Sequence, residues 1–207
     1  MKRLIIACFL LSFTIKSYSQ SDSIVNPYKN WFFGAEMGLN HIISFNWNEQ
    51  KNSFQGGLIA EYFLTSNWSA MARLKYFKIG QSSGRSDASY RKFDGESIAL
   101  ILNIKWEYKI AKNFRGFLKT GFALNQETVS NYQYYEGERT NCPTFFVDYN
   151  ILGIGFSQYI NTNTAIYVEA ELKGLGKDRD DGPTFITPNS TDNYFLNIGI
   201  KHNFKRK

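Results

Sequence analysis

Apolar and polar residues alternate with a period of two from Trp31 to the C-terminal end of the chain. The clearest stretch is 96–110. There Ile98, Leu100, Leu102, Ile104, Trp106, Tyr108 and Ile110 share one parity, and Ala99, Ile101, Asn103, Lys105, Glu107 and Lys109 share the other. A helix would mix the two sets around its circumference, whereas a strand sends them to opposite faces. The same split recurs in segments beginning near Trp31, Phe54, Trp68, Phe114, Ile166 and Tyr194. In 145–160 the apolar parity changes midway, from Val147 and Tyr149 to Ile154 and Phe156, and a bulge near Gly153 reconciles the halves. Eight antiparallel strands are predicted.

The predicted connections alternate in length. Those at 65–67, 111–113 and 161–163 are short, while 46–52 is medium and 80–95, 126–144 and 174–192 are long. Short turns at one end and longer loops at the other describe an all-β, up-and-down meander. With the first strand entering from the periplasm, the termini and short turns lie there and the longer loops face outside.

An eight-stranded meander also builds a soluble calyx, with its apolar face turned inward. Composition separates the two readings. Aromatics make up 17% of the chain, and on the apolar face they gather near strand ends. Trp31, Tyr62, Trp68, Trp106, Tyr108, Phe114 and Phe204 fall at one rim, and Phe45, Phe54, Tyr76 and Tyr194 at the other. Two aromatic girdles around an aliphatic band suit two lipid–water interfaces. The opposite face carries Glu36, Glu61, Glu107, Glu169 and Glu171 against Arg73, Lys75, Lys105, Arg115, Lys119, Lys173 and Lys201. A closed lumen needs such pairing of opposite charges. The fold class is therefore an eight-stranded antiparallel transmembrane β-barrel over residues 30–207, with these twelve side chains as a structural charge network.

The first residues read as a separate object. Lys2 and Arg3 precede an apolar run, and Ser17-Tyr18-Ser19 offers small residues where a signal peptidase cuts. Residues 1–19 are read as a cleaved signal peptide, and 20–29 as a short periplasmic segment. Removing Lys2, Arg3 and Lys16 lowers the formal charge from +6 to +3, which gives no argument for nucleic-acid binding. Cys8 lies too close to the start of the apolar run for a lipoprotein acceptor, and Cys142 is then alone, so no internal disulfide is expected.

These features resemble the small outer-membrane barrels of Bacteroidetes-type bacteria, and in architecture the OmpX and OmpA-barrel group. The resemblance rests on the segment ending Ser17-Tyr18-Ser19-Gln20, the eight short strands and Phe204 near the C-terminus. It departs from that pattern in the tail, where Lys205-Arg206-Lys207 follows the aromatic residue. It implies export to the outer membrane as a monomer.

Some barrels of this architecture are lipid A enzymes, which raises the question of a nucleophilic site. Only His41 and His202 could act as imidazole bases. Ser44 lies three residues from His41, on the other strand face, and the His and Ser two residues apart of the lipid A deacylases do not occur. No catalytic residue is assigned. Asp178-Arg179-Asp180-Asp181-Gly182 lacks the later bidentate Glu of a calcium loop, so no metal or cofactor is assigned either. Arg85, Arg91, Lys92, Lys177 and Arg179 fall in loops at the level of phosphorylated, lipopolysaccharide-type head groups, which are the expected lipid partners. The expected function is a structural or surface-interaction barrel whose loops meet an external ligand or protein. A narrow channel and a lipid A-modifying enzyme are the alternatives.

Overall fold

The computed structural model describes residues 26–43, 51–83, 91–134, 139–141, 145–174 and 192–204. They form β1 (Trp31–Ile43), β2 (Lys51–Phe63), β3 (Trp68–Ser83), β4 (Arg91–Lys109), β5 (Phe114–Tyr134), β6 (Arg139–Asn141), β7 (Phe145–Tyr159), β8 (Thr164–Gly174) and β9 (Asp192–His202). All pairings are antiparallel. β1 pairs with β9 from Phe33↔His202 to Ile43↔Asp192, so the sheet closes on itself. Eight strands make the wall, and β6 adds a short rung on the far end of β5.

Closure follows from the sequence pattern. An open sheet with one apolar and one charged face would leave two unpaired edges, and closing it removes both. The inward positions are the charged parity and the outward positions the apolar one, which excludes the calyx arrangement. Met37, Leu58, Leu74, Ile104, Ile154, Val168 and Ile198 are exposed on the outside, while Glu61, Arg73, Lys105 and Lys201 are buried inside.

Two expected loops prove shorter than the sequence pattern predicts. The sequence pattern predicts loops over 80–95 and 126–144. Instead β3 continues to Ser83, β4 begins at Arg91 and β5 runs to Tyr134. Ladder pairs such as Ser83↔Arg91 and Arg91↔Tyr134 hold this extension. It starts at a bulge where Glu96 pairs with Val129 and Ser97 with Glu127, leaving Thr128 as the extra residue. The parity change in 145–160 predicts a bulge near Gly153. It lies just before that residue, where Asn150↔Lys173 and Leu152↔Leu172 leave Ile151 unmatched and restore the outward parity of Leu152, Ile154 and Phe156.

The short turns share one construction. Leu64 and Thr65 donate to the Trp68 carbonyl, Ile110 and Ala111 to that of Phe114, and Ile160 and Asn161 to that of Thr164. Four rising strands are each preceded by an asparagine whose carbonyl accepts a bond from the adjacent falling strand or its end. Phe63 N donates to Asn30 O at 3.2 Å, Glu107 N to Asn67 O at 2.7 Å, Tyr159 N to Asn113 O at 2.8 Å and Asn203 N to Asn163 O at 2.7 Å. The barrel is thus four similar hairpins at this rim, the turn end. The opposite rim is the loop end.

Candidate functional site

Inward positions along each strand stack into layers. Nearest the turn end, Phe32, Phe63, Tyr159 and Ala165 form an apolar floor. Above it lie Glu61, Lys105, Glu107, Arg115 and Lys201. Ile59, Phe117 and Tyr167 form the middle slab. Next come Glu36, Arg73, Lys75, Lys119, Glu169 and Glu171. Phe77, Ala99, Ile101, Ala123 and Phe195 close the stack toward the loop end. The two charged layers hold eleven of the twelve side chains named from sequence, all at most 7% exposed. The twelfth, Lys173, has its backbone in β8 opposite Asn193, and its side chain lies outside the description.

Arg73 is the hub of the loop-side layer. Its Nη2 donates to Glu36 Oε1 at 2.6 Å and Glu169 Oε1 at 2.8 Å, and its Nη1 to Glu171 Oε2 at 2.5 Å. The planar guanidinium supplies donors in several fixed directions, which a lysine cannot do. Lys119 Nζ meets Glu169 Oε2 at 2.8 Å and Glu171 Oε2 at 3.0 Å. Lys75 Nζ lies 3.1 Å from Glu36 Oε1 and 4.8 Å from the Phe195 ring centre. The Tyr167 hydroxyl donates to Glu36 Oε2 at 2.6 Å, and Asn197 Nδ2 to Glu169 Oε1 at 2.7 Å. Three carboxylates face three cations, so the layer is neutral.

The turn-side layer is smaller. Lys201 Nζ bridges Glu61 Oε2 at 2.8 Å and Glu107 Oε1 at 3.2 Å. Lys105 bonds Glu61, and Glu107 at 2.7 Å. The Lys201 ammonium also lies 5.1–5.5 Å from the ring centres of Phe32, Phe63 and Tyr159. Such faces offer a desolvated ammonium partial negative charge. Arg115 Nη1 donates to the Ser66 carbonyl at 2.9 Å and stands 3.8 Å from Glu107 Oε2. Burying these charges costs desolvation that their mutual attraction offsets, so each becomes expensive once a partner is lost. The inward faces of Gly153, Gly155 and Gly199 make room for this packing beneath Lys119, Phe117 and Tyr167.

The outer wall carries the girdles. At the turn end Trp31 packs on Tyr62 at 4.9 Å, Trp106 on Tyr108 at 5.2 Å and Phe114 on Phe156 at 5.5 Å. Phe54, Tyr76 and Tyr194 are exposed toward the loop end. Phe45 lies outside the described residues, as do Arg85, Cys142, Lys177 and residues 178–182. Arg91 and Lys92 open β4, and their side chains are likewise outside the description. His41 Nδ1 lies 2.5 Å from Asn52 Oδ1. Sequence reasoning missed the partner of His202, Thr164 Oγ1 at 2.8 Å, because they are 38 positions apart and meet only through the β8–β9 register. The His202 ring packs edge-on against Phe204.

A closed all-antiparallel barrel of eight strands, apolar outside and charge-filled inside, defines the fold class of the small transmembrane β-barrels. Solved structures share this fold. Neisserial surface protein A superposes with a TM-score of 0.55 at 12% identity, over 84% of this chain and 97% of that one. Ail, the attachment invasion locus protein of Yersinia pestis, solved in complex with the heparin analogue sucrose octasulfate, gives 0.50 at 11% identity, over 84% and 99%. At such identities the likeness concerns the fold alone. No protein-family model matches the chain, and no curated protein matches it in sequence.

Proposed function

We propose that this chain resides in the bacterial outer membrane as a monomeric barrel with a plugged lumen and works through the loops at its loop end. The observation that carries this reading is the pairing of all eleven described lumen charges inside an apolar, aromatic-girdled wall. An eight-stranded interior is only wide enough for side chains to fill it. Here two ionic layers alternate with three apolar ones, which opposes a continuous water column. The turn end then lies in the periplasmic leaflet and the loop end outside. The loops would meet phosphorylated lipid head groups and an external ligand or protein. Affiliation with the Bacteroidetes-type barrels, and removal of residues 1–19 on export, belong to the same proposal.

Two measurements test it. Refolded into vesicles, the protein should migrate faster on a gel before boiling than after. In a planar bilayer it should show no steady ion conductance. Reproducible single-channel steps that change when Glu169 or Lys119 is replaced would overturn the plug in favour of a narrow channel.

A further inference from the structure

The two rims differ in charge. At the turn end, Lys29, Lys109 and Lys112 are exposed, and no acidic residue occurs in the described segments 26–30, 64–67, 109–114, 160–164 or 202–204. Lys29 stands beside β1, and Lys109 and Lys112 flank the turn between β4 and β5, which is the opposite side of the eight-stranded ring. The positive charge is therefore spread around the mouth. At the loop end the exposed Lys78 is paired at 3.0 Å with Glu96, and the sequence there mixes both signs, with Glu49, Asp87, Glu136 and Asp180 beside Arg85 and Lys177.

The cations share their rim with the dense aromatic girdle. Trp31, Trp68 and Trp106, three of the four tryptophans, sit there with Tyr62 and Tyr108. Tryptophan and tyrosine at this level seat in the interfacial zone of a bilayer. Lysines just beyond them reach the phosphate level, where their stems lie along apolar surface and their ammonium groups meet head groups.

We propose that the turn end is a selective contact surface for anionic phospholipid head groups, the phosphatidylglycerol type, in the leaflet that surrounds it. The inference rests on the membrane placement proposed above. The recognition is electrostatic and not stereospecific. A rim of net positive charge raises the local concentration of anionic lipid, each cation by about fivefold at low salt. Zwitterionic lipids, whose own ammonium groups face the same lysines, gain little.

The test uses the rim tryptophans as reporters. The full mature chain is folded into phosphatidylcholine vesicles containing a minor fraction of either phosphatidylglycerol or phosphatidylcholine brominated near the headgroup end of its acyl chains. Brominated phosphatidylglycerol should quench tryptophan fluorescence several-fold more strongly at low salt, and the difference should shrink at about 0.5 M salt. The Lys29→Gln, Lys109→Gln, Lys112→Gln triple variant should lose most of the preference. A Lys78→Gln, Glu96→Gln variant, altered only at the loop end, should retain it. Equal quenching by the two brominated lipids, or a preference unchanged in the triple variant, would overturn the inference while leaving a heat-modifiable, folded barrel. Loss of the heat-modifiable band in the unsubstituted chain would instead defeat the membrane placement, and the lipid contact with it.

Discussion

Gly199 and Gly56 carry opposite consequences for the wall they share. A Cβ at Gly199 would stand 2.4 Å from the Tyr167 ring, whereas at Gly56 its nearest neighbour would be 3.6 Å away. Gly199→Ala should lower stability by about 1–3 kcal/mol through overpacking, and Gly56→Ala should change it by less than about 0.5 kcal/mol. Urea titrations of the two variants in the same vesicles check this, and equal midpoints would refute the packing described. At this scale the sequence is half legible. Parity puts Glu36, Arg73, Lys119 and Glu169 on one face, and the aromatic and charge composition turns that face inward. It gives no partners, because period two fixes a face and not an angle around the barrel. That Arg73 gathers Glu36 from β1 and Glu169 and Glu171 from β8 depends on closure. The aromatic surroundings of Lys201 and the Thr164–His202 contact are invisible in the sequence for the same reason.

Among the strands, β4 states the rule of the wall most plainly. Ile104 is exposed and its neighbour Lys105 is 1% exposed. Ile104→Arg places a charge among acyl chains and should cost about 2–4 kcal/mol in a bilayer. Ile104→Ala should cost much less, since lipid replaces the missing side chain. A smaller loss for arginine than for alanine, read from denaturant midpoints in vesicles, would mean that the wall faces water. Lys105 is no neutral control, because its removal strands Glu61 and Glu107. The strands are legible where one face meets lipid and the other meets charge. They read as loops in 80–95 and 126–144, where the alternation fades and backbone pairing alone carries β3, β4 and β5 onward.

For the molecule as a whole, the decisive event is the meeting of β1 and β9. Lys201 lies on β9, and its partners Glu61 and Glu107 lie on β2 and β4, 140 and 94 positions away. Those bonds cannot form in an open sheet. Lys105 serves the same carboxylates from within the N-terminal half. Lys201→Met and Lys105→Met remove the same charge from one layer and should destabilise alike, yet only the former should loosen the seam. Cysteines at the register pair Ala35↔Ile200 report that seam, and cysteines at Ala60↔Ala72 report an interior one. With Cys142 replaced, Lys201→Met should reduce cross-linking at Ala35–Ile200 and spare Ala60–Ala72. Equal loss at both, or the same pattern from Lys105→Met, would count against a lumen that holds the seam shut.

The repeated asparagine at the turn end has a consequence for ancestry and for chain order. Asn30, Asn67, Asn113 and Asn163 occupy equivalent places, and the residues ending the four falling strands, Leu64, Ile110, Ile160 and Phe204, are all exposed. The terminal hairpin is dressed like the internal ones. Such a ring has no privileged beginning. Because β1 and β9 are paired up to Phe33↔His202 at this rim, a turn of the internal type could join the two end strands while another turn is cut. The hairpin, and not the chain, is the unit that evolution could copy, delete or reorder, and the ionic layers are what would have to be rebalanced each time it did.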